Sequence, residues 1–533
     1  MAPARLTVLT LALAMSALAP VAPARAAGEA CDPVEAVDDA RYLRQLTLDL
    51  WGRVPSIEEL DAVAAAGGVT KAHIEAMLAD EQFFTMVRRH HADLLYPNID
   101  QLELVPAATS LLLPAMYYEY DESSDPTRLF ILYVGFYQRG GLVPCADEPA
   151  TFDAQGQVVM TPWPDGTMRD GWVMVEPYWA PGTQVKVCAL EARWVETASN
   201  GEPCTSAAGA GTGSCGCGDD LRYCLSLESG DRVRQSLRDQ MERAIERPMR
   251  EGGSYFDFLT DRREELDGPL EHYYKYIAQK AVDPVIFTPP VPPASIGDRP
   301  FTDATWVSYD RPEFNSGILT GLQYLLRFQT ARARANRFWD AFLCAPFQAP
   351  DVALPSPNDP CSLNPNLRER CGCSGCHAVL EPATAYWARF ADAGTLRLEP
   401  SVFPDYLPQC DGCESKPGGC GFFCDRFYLT HAGHPDEQPY VGTMRSLMWR
   451  DADELALVGT GPRALVEETL ESGALGRCAA QKVFERLHGR PLDEQDEAEL
   501  LPDVLAAFEA SGWDFRALVE AWVMSPSYRR MVR

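Results

Sequence analysis

Basic residues are scarce in this chain of 533 residues, which has 47 Lys and Arg against 76 Asp and Glu. The formal net charge of −29 at pH 7 makes the surface repel other polyanions. This balance argues against nucleic acid and against an anionic lipid surface as partners. Two interpretations of the charge remain: solubility alone, which is the simpler one, and steering toward a basic redox partner.

Apolar runs of membrane-spanning length are missing after residue 26. The best candidate, residues 129–137, has nine residues and suits a buried strand, whereas a membrane helix needs about 20. We therefore predict no membrane span in the mature chain. The sequence also lacks a nucleophile elbow, a phosphate loop, a dinucleotide fingerprint and an internal repeat, so the classes that these patterns define have no motif support.

Residues 1–26 have the pattern of a secretory signal peptide. A single Arg5 precedes an apolar run that ends near residue 19, and residues 24–26 (ARA) form a small-x-small cleavage site. The run is too short to span a bilayer, and prolines follow it. We expect a periplasmic or secreted protein whose formal charge, without Arg5 and Arg25, goes from −29 to −31.

The 17 cysteines agree with export. In an oxidising compartment most cysteines pair as disulfides, whereas in the cytosol so many would indicate metal or redox sites. Because the number is odd, at least one cysteine has a different role.

One motif with a chemical function lies among these cysteines, at residues 373–377 (CSGCH). Its C-x-x-C-H pattern is the attachment signature of c-type haem. On a helical turn, cysteines three positions apart lie on one side and can form thioethers to the haem vinyl groups, while the adjacent histidine ligates the iron. A random arrangement of the 17 Cys and 8 His gives roughly 0.01 such matches, so chance explains the motif poorly. We predict one covalent haem c held by Cys373, Cys376 and His377.

The sixth iron ligand is expected from a later loop, and Met444 is the preferred candidate because residues 440–444 have the placement of that loop in small cytochromes. A Met ligand indicates a carrier with a raised potential, whereas an open site permits small-molecule chemistry. The other candidates are His431, His434 and Met448. The apolar side chains expected to wall the porphyrin are Ala378, Val379, Leu380, Trp387 and Phe390.

Zinc is the main alternative to haem, with an iron-sulfur cluster or a pure disulfide scaffold behind it. Cys373 and Cys376 form one C-x-x-C pair, and a second pair follows after 33 residues, which is long for a compact zinc ribbon. Such a site leaves His377 without a role. In an oxidising compartment the simpler interpretation of the second group is disulfides among Cys410, Cys413, Cys420 and Cys424.

Hydrophobic periodicity gives the organisation of the chain. Ser56 and Glu59 form a predicted capping box, residues 184–189 alternate as in a strand, and the stripe from Phe515 to Val523 belongs to a packed helix. We predict a mainly α, multidomain helical protein with a β-rich, disulfide-bearing insertion and a cytochrome-c-like helical haem segment. The predicted order is signal peptide (1–26), N-terminal helical domain (27–104), β-rich Cys-containing insertion (105–230), helical domain (231–350), haem segment (351–450) and C-terminal helical domain (451–533).

Several stretches resemble the secreted planctomycete-type cytochrome c family, whose multidomain members carry one C-x-x-C-H haem segment. They are residues 46–56 (LTLDLWGRVPS), 317–320 (GILT) with 343–346 (LCAP), 373–377 (CSGCH) with Pro382 and 390–394 (FADAG), and 483–490 (VFERLHGR) with 525–528 (SPSY). The resemblance covers most of the chain in order, apart from the region near 100–215. It implies a secreted haem protein that transfers electrons.

Three hypotheses follow from these patterns. The first is an exported monohaem c-type cytochrome that passes electrons to or from a redox partner protein in the periplasm. The second is a haem-dependent oxidoreductase that acts on an extracellular substrate, with carbohydrate as one candidate. The third is an interaction module stapled by zinc or by disulfides.

Overall fold

The computed structural model describes residues 37–100, 104, 110–112, 115–120, 129–139, 144–164, 166–210, 212–280, 288–347 and 355–529. The predicted signal peptide and Cys31, one of the 17 cysteines, lie outside the described residues. Within these ranges the chain is mainly helical with small sheets, as predicted. None of the helices described here combines the length and the apolar character needed to cross a membrane.

Helices dominate both ends of the described chain. They are α1 (Asp39–Trp51), α2 (Ile57–Ala65), α3 (Lys71–Ala79), α4 (Phe84–Leu95), α5 (Ala207–Ala210), α6 (Leu227–Glu251), α7 (Gly268–His272), α8 (Leu322–Arg327), α9 (Ala331–Phe342), α10 (Ser374–Ala383), α11 (Phe422–Phe427), α12 (Ala452–Thr460), α13 (Pro462–Glu471), α14 (Ala474–His488), α15 (Glu494–Glu499), α16 (Leu501–Ala510), α17 (Phe515–Val523) and α18 (Pro526–Arg529). Local capping explains where several begin. The predicted capping box of Ser56 and Glu59 starts α2, and Asp514 accepts a hydrogen bond from the backbone N–H of Arg516 at the start of α17.

The strands are short and form five separate small sheets among the described residues. They are β1 (Ser110–Leu112), β2 (Ala115–Tyr120), β3 (Leu129–Val134), β4 (Gln138–Arg139), β5 (Thr161–Pro162), β6 (Met168–Arg169), β7 (Trp172–Val175), β8 (Val185–Cys188), β9 (Leu225–Ser226), β10 (Arg263–Leu266) and β11 (Val307–Asp310). One sheet has the order β4-β1-β9, and the others are the antiparallel pairs β2-β3, β5-β6, β7-β8 and β10-β11. Nine of the strands fall between residues 110 and 226, where the alternation in residues 184–189 predicted strand structure.

One predicted helical stretch contains a strand. The predicted helical domain, residues 231–350, contains β10 and β11, which pair in antiparallel register with Glu264 opposite Tyr309. The carboxylate of Glu264 is buried and lies 2.8 Å from the guanidinium of Arg311, just beyond β11. This contact joins residues 47 positions apart, so the helix propensity of the local sequence is overridden by tertiary packing.

The largest core joins the two ends of the chain. Buried side chains from α1 and α4 pack with those of α6, α9, α14 and α17. The hydroxyl of Tyr42 donates to the carbonyl of Val523 at 2.8 Å, and the N–H of Val37 donates to the carbonyl of Arg529 at 3.0 Å. A smaller core lies under residues 385–458 and includes Phe403, Tyr428, Met444 and Leu447. The segment that carries the C-x-x-C-H motif contributes Leu380 and Ala383 to the large core, and Ala385 just after it belongs to the smaller core.

Candidate haem-binding site

The motif residues form the first turn of α10. A disulfide between Cys361 and Cys371 closes the loop just before them, and α10 starts directly after Cys373. The carbonyl of Cys373 accepts the N–H of Cys376 at 3.2 Å and that of His377 at 3.0 Å. The sequence prediction that the motif sits on a helical turn is met by this geometry.

The two motif cysteines differ from the other cysteines that the structure describes. Fourteen of those form seven disulfides, and Cys373 and Cys376 are the two that lie outside them. The prediction that most cysteines are paired is therefore confirmed. The pairs are Cys145–Cys188, Cys204–Cys215, Cys217–Cys224, Cys344–Cys478, Cys361–Cys371, Cys410–Cys424 and Cys413–Cys420.

The second C-x-x-C pair has no thiol to offer a metal. Cys410 pairs with Cys424 and Cys413 with Cys420, which confirms disulfides within this group. A zinc ribbon built on both pairs would thus lose two of its four thiolate ligands. Among the described residues one group has metal-ligand spacing, Cys145, Asp170 and Cys188, and its two cysteines are joined to each other.

His377 is held by an acid one turn further along α10. Its Nδ1 lies 2.5 Å from Oε1 of Glu381, and both side chains are about one-fifth exposed, at 21% and 19%. Arg332 from α9 holds the same carboxylate with Nε at 2.6 Å from Oε1 and Nη2 at 3.1 Å from Oε2. The three side chains form a chain of charge-assisted hydrogen bonds from α9 to the motif histidine.

The electrostatics of this chain of contacts fix the tautomer of His377. Burial raises the pKa of the Glu381 carboxyl, but the hydrogen bonds from Arg332 and His377 outweigh it, so the net pKa is lowered. An ionised carboxylate can only accept, so Nδ1 of His377 carries the hydrogen and donates it. In the neutral imidazole the other ring nitrogen, Nε2, then has the lone pair that a metal needs.

A cavity of about 440 Å³ lies beside α10. It reaches the helix at Glu381 and Thr384, while the motif cysteines and His377 are not part of its described lining. The volume falls within the range of about 300–1,000 Å³ typical of small-molecule and cofactor pockets. Its apolar lining includes Phe390, Leu398, Phe427, Met444, Met448 and Trp449.

Arginines form much of the polar lining of this cavity. Arg450 is almost fully buried, and it donates to the carbonyl of Glu381 at 3.1 Å and to Oγ1 of Thr384 at 2.8 Å. Burial lowers the pKa of Arg450 despite the nearby carboxylate of Glu454. The complete set of lining arginines is Arg332, Arg368, Arg426, Arg445 and Arg450. An apolar pocket with guanidinium groups suits a flat apolar ligand that carries carboxylates, and a haem with its two propionates has that chemistry.

Met444 lines the cavity from the loop that the sequence singled out. Its side chain is buried, and Nη1 of Arg389 lies 3.9 Å from its Sδ. Met448 lines the same cavity. The two histidine candidates do not belong to its described lining: His431 has a 60% exposed side chain beside Glu414, and His434 caps a short 3-10 helix.

The predicted apolar wall is met only in part. Phe390 lines the cavity, but Trp387 is fully buried in the large core, where its Nε1 donates to the carbonyl of Leu319 at 3.2 Å. Val379 is 54% exposed, and Ala378 is exposed as well. These two side chains point away because α10 turns its other face, with Leu380 and Ala383, toward the large core.

Sequence reasoning missed Glu381 and the arginines. Glu381 follows His377 at i+4, a spacing that places two helical side chains side by side, so this contact could have been found in the sequence. Arg332 and Arg450 come from positions 49 and 69 residues away from Glu381, and no local pattern marks them.

Comparison of the chain with protein-family models, with curated proteins and with solved structures finds no match. Function is therefore inferred from the residues around α10.

Proposed function

We propose that this chain is an exported c-type cytochrome that holds one covalent haem and exchanges single electrons with a redox partner protein in the periplasm. The observation that carries this proposal is the C-x-x-C-H motif at the start of a helix, with its two cysteines outside the disulfides that engage the other fourteen described cysteines. Haem, when bound, supplies an iron that accepts and returns one electron.

Each motif residue has a distinct task in this proposal. The thiols of Cys373 and Cys376 would each add across a haem vinyl double bond, with sulfur on one carbon and the thiol hydrogen on the other, and the two thioethers would keep the cofactor attached outside the cell. His377 offers Nε2 to the iron because Glu381 accepts the hydrogen of Nδ1. The cavity beside α10 would hold the porphyrin, its arginines other than Arg332, which binds Glu381, would pair with the propionates, and Met444 would offer Sδ to the iron.

Two further observations support export and family. The seven disulfides fit an oxidising compartment, in agreement with the signal-peptide pattern of residues 1–26. We propose membership of the secreted planctomycete-type cytochrome c family on the four groups of stretches that resemble it. Residues 351–450 correspond to its cytochrome-c-like haem segment in this proposal.

The direct test of this proposal is whether the exported protein carries a covalent haem. The full chain is expressed with its leader in cells that contain the haem-attachment machinery, and a pyridine haemochrome spectrum is recorded on the exported protein. We expect a c-type spectrum with one haem per chain, lost in Cys376→Ala. A matched control, Cys413→Ala with Cys420→Ala, removes two cysteines that form a disulfide and should keep the spectrum.

Metal analysis of the same preparation separates the alternatives. Exported wild-type protein without a c-type spectrum but with one zinc per chain contradicts the haem proposal and favours a zinc-stapled interaction module. Protein with neither haem nor metal favours the disulfide-stapled module instead.

A further inference from the structure

Glu381 differs in its environment from an ordinary acid on a helix surface. Its carboxylate lies in the gap between α9 and α10, lines the cavity, and contacts the motif histidine and Arg332 at the same time. Its own backbone carbonyl accepts a hydrogen bond from Arg450. The carboxylate is therefore held by two side chains, and Arg450 holds the backbone of the same residue, so its position relative to His377 is set by tertiary contacts as well as by the helix.

A carboxylate on Nδ1 changes what His377 can do for an iron on Nε2. It holds the ring in one tautomer and one orientation, and it draws the Nδ1 hydrogen toward itself, which makes Nε2 a stronger electron donor. A stronger donor and a nearby negative charge stabilise iron(III) more than iron(II), because iron(III) carries the higher positive charge. The reduction potential of the iron consequently falls.

Arg332 acts in the opposite direction. Its guanidinium binds both oxygens of Glu381, so part of the carboxylate charge is compensated before it reaches His377. Arg332 is half exposed, at 50%, so its removal disturbs little packing.

We propose that Glu381 is a positioning residue that orients His377 through Nδ1 and lowers the reduction potential of the bound haem, and that Arg332 limits this effect. This inference rests on the proposed haem function. The electron balance is simple: iron(III) takes one electron from an external one-electron donor to give iron(II), and the Nδ1 hydrogen stays between His377 and Glu381.

The test compares midpoint potentials of the purified haem-loaded protein in a mediated redox titration. Glu381→Gln keeps an oxygen that can accept from Nδ1 but removes the charge, so the potential should rise. We expect a tenfold change in the one-electron equilibrium constant, which corresponds to about 59 mV. Arg332→Gln should lower the potential. The control is Glu399→Gln, which removes the same charge from a partly exposed pair with Arg397 and should leave the potential near the wild-type value.

Opposite signs in the two variants distinguish this role from a purely structural one. If Glu381 only stabilised α10, both substitutions would lower stability and neither would shift the potential in a consistent direction. Glu381→Asp, which keeps the charge but shortens the side chain by one methylene, should restore part of the low potential.

The outcomes separate this inference from the function on which it rests. A c-type spectrum with the same potential in Glu381→Gln and Glu399→Gln overturns the role of Glu381 and leaves the cytochrome proposal intact. The absence of a c-type spectrum from the wild-type protein overturns both. In a Met444→Ala background, which should leave the reduced iron five-coordinate, a lower Fe–His stretching frequency with Glu381→Gln than without it, measured by resonance Raman, supports the loss of electron donation by His377.

Discussion

Arg334 shows how one residue fixes the wall of the candidate haem cavity. It is buried in α9, and its guanidinium donates to backbone carbonyls just before α9 and in residues 390–394. The acceptors are the carbonyls of Phe328, Gln329, Phe390, Ala391 and Gly394. Burial lowers the pKa of Arg334 to about 10, yet this still leaves the group charged at neutral pH. Residues 390–394 are also part of the stretch that resembles the haem segment of the cytochrome family.

Replacing Arg334 by Leu should destabilise the protein by about 3 kcal/mol, because several buried carbonyls lose their donor. The free energy of unfolding is measured by urea titration. The control is Arg477→Leu, which removes a half-exposed arginine that lies 3.4 Å from Glu497 and should cost less than about 1 kcal/mol. Equal losses in the two variants would contradict the role assigned to Arg334.

Met444 and Met448 allow a matched test of the sixth ligand. Both line the cavity, but Met444 is buried on the predicted loop. We expect a six-coordinate, low-spin iron whose spectrum changes in Met444→Ala and is kept in Met448→Ala. A wild-type iron that is high-spin and binds peroxide argues instead for the second hypothesis, a haem-dependent oxidoreductase. A change in Met448→Ala alone shows that the neighbouring methionine is the ligand.

At the level of elements, a long-range disulfide ties the segment before the haem motif to the C-terminal helices. Cys344, just after α9, pairs with Cys478 in α14, across 134 residues. The two cysteines lie next to the large core, and their disulfide links the end of α9 to α14, which are far apart in the sequence. Cys204 and Cys215, by contrast, close a loop of only 11 residues within the β-rich region.

The double substitution Cys344→Ser and Cys478→Ser should lower the free energy of unfolding by about 5 kcal/mol, from the chain entropy of so long a loop. The same change at Cys204 and Cys215 should cost about 3 kcal/mol. Chemical denaturation without reductant measures both values. A larger loss for the short loop would show that local strain or packing, and not loop length, governs the effect.

For the whole molecule, buried neutral histidines should make the folded state less stable at acid pH. His91 in α4 and His272 in α7 are buried, and burial lowers the pKa of each from 6.5 to about 4. His91 lies between the carbonyl of Val87 and the hydroxyl of Tyr255, at 2.8 Å from each, and His272 donates to the carbonyl of Arg222 at 3.0 Å. Both therefore pack as neutral rings.

The sign of the pH dependence follows from these lowered pKa values. Below pH 6.5 these histidines bind protons in the unfolded chain, whereas in the folded chain they bind them only near pH 4. Their contribution to the free energy of unfolding is therefore fully present above pH 6.5 and is lost as the pH falls from 6.5 to about 4. In that window each histidine lowers the free energy of unfolding by up to about 1.4 kcal/mol for each pH unit of acidification. Urea unfolding at several pH values should show a shallower slope in His272→Gln than in the wild type. An unchanged slope in His272→Gln would contradict the contribution assigned to His272.

The joining of the chain ends in one core was not visible in the sequence. Helical stretches near residues 40–95 and 451–529 are separate in the sequence, and nothing in their periodicity says which apolar faces meet. The structure packs α1, α3 and α4 against α17, and the ammonium of Lys71 in α3 lies 2.7 Å from the carboxylate of Glu520 in α17. Contacts of this kind depend on the path of several hundred intervening residues, and so they follow from packing and not from local pattern.

The sequence by itself determined the local chemistry: the CSGCH motif, the capping box of Ser56 and Glu59, the strand at 185–188 and the abundance of disulfides. These depend on hydrogen bonds and spacings within a few residues, which a linear pattern records. Tertiary structure alone decided the disulfide partners, the strand pairing of β10, and the cavity in which Met444 meets the arginines. It also brought Arg332 to Glu381 across 49 residues, because the environment of His377 depends on how α9 packs against α10.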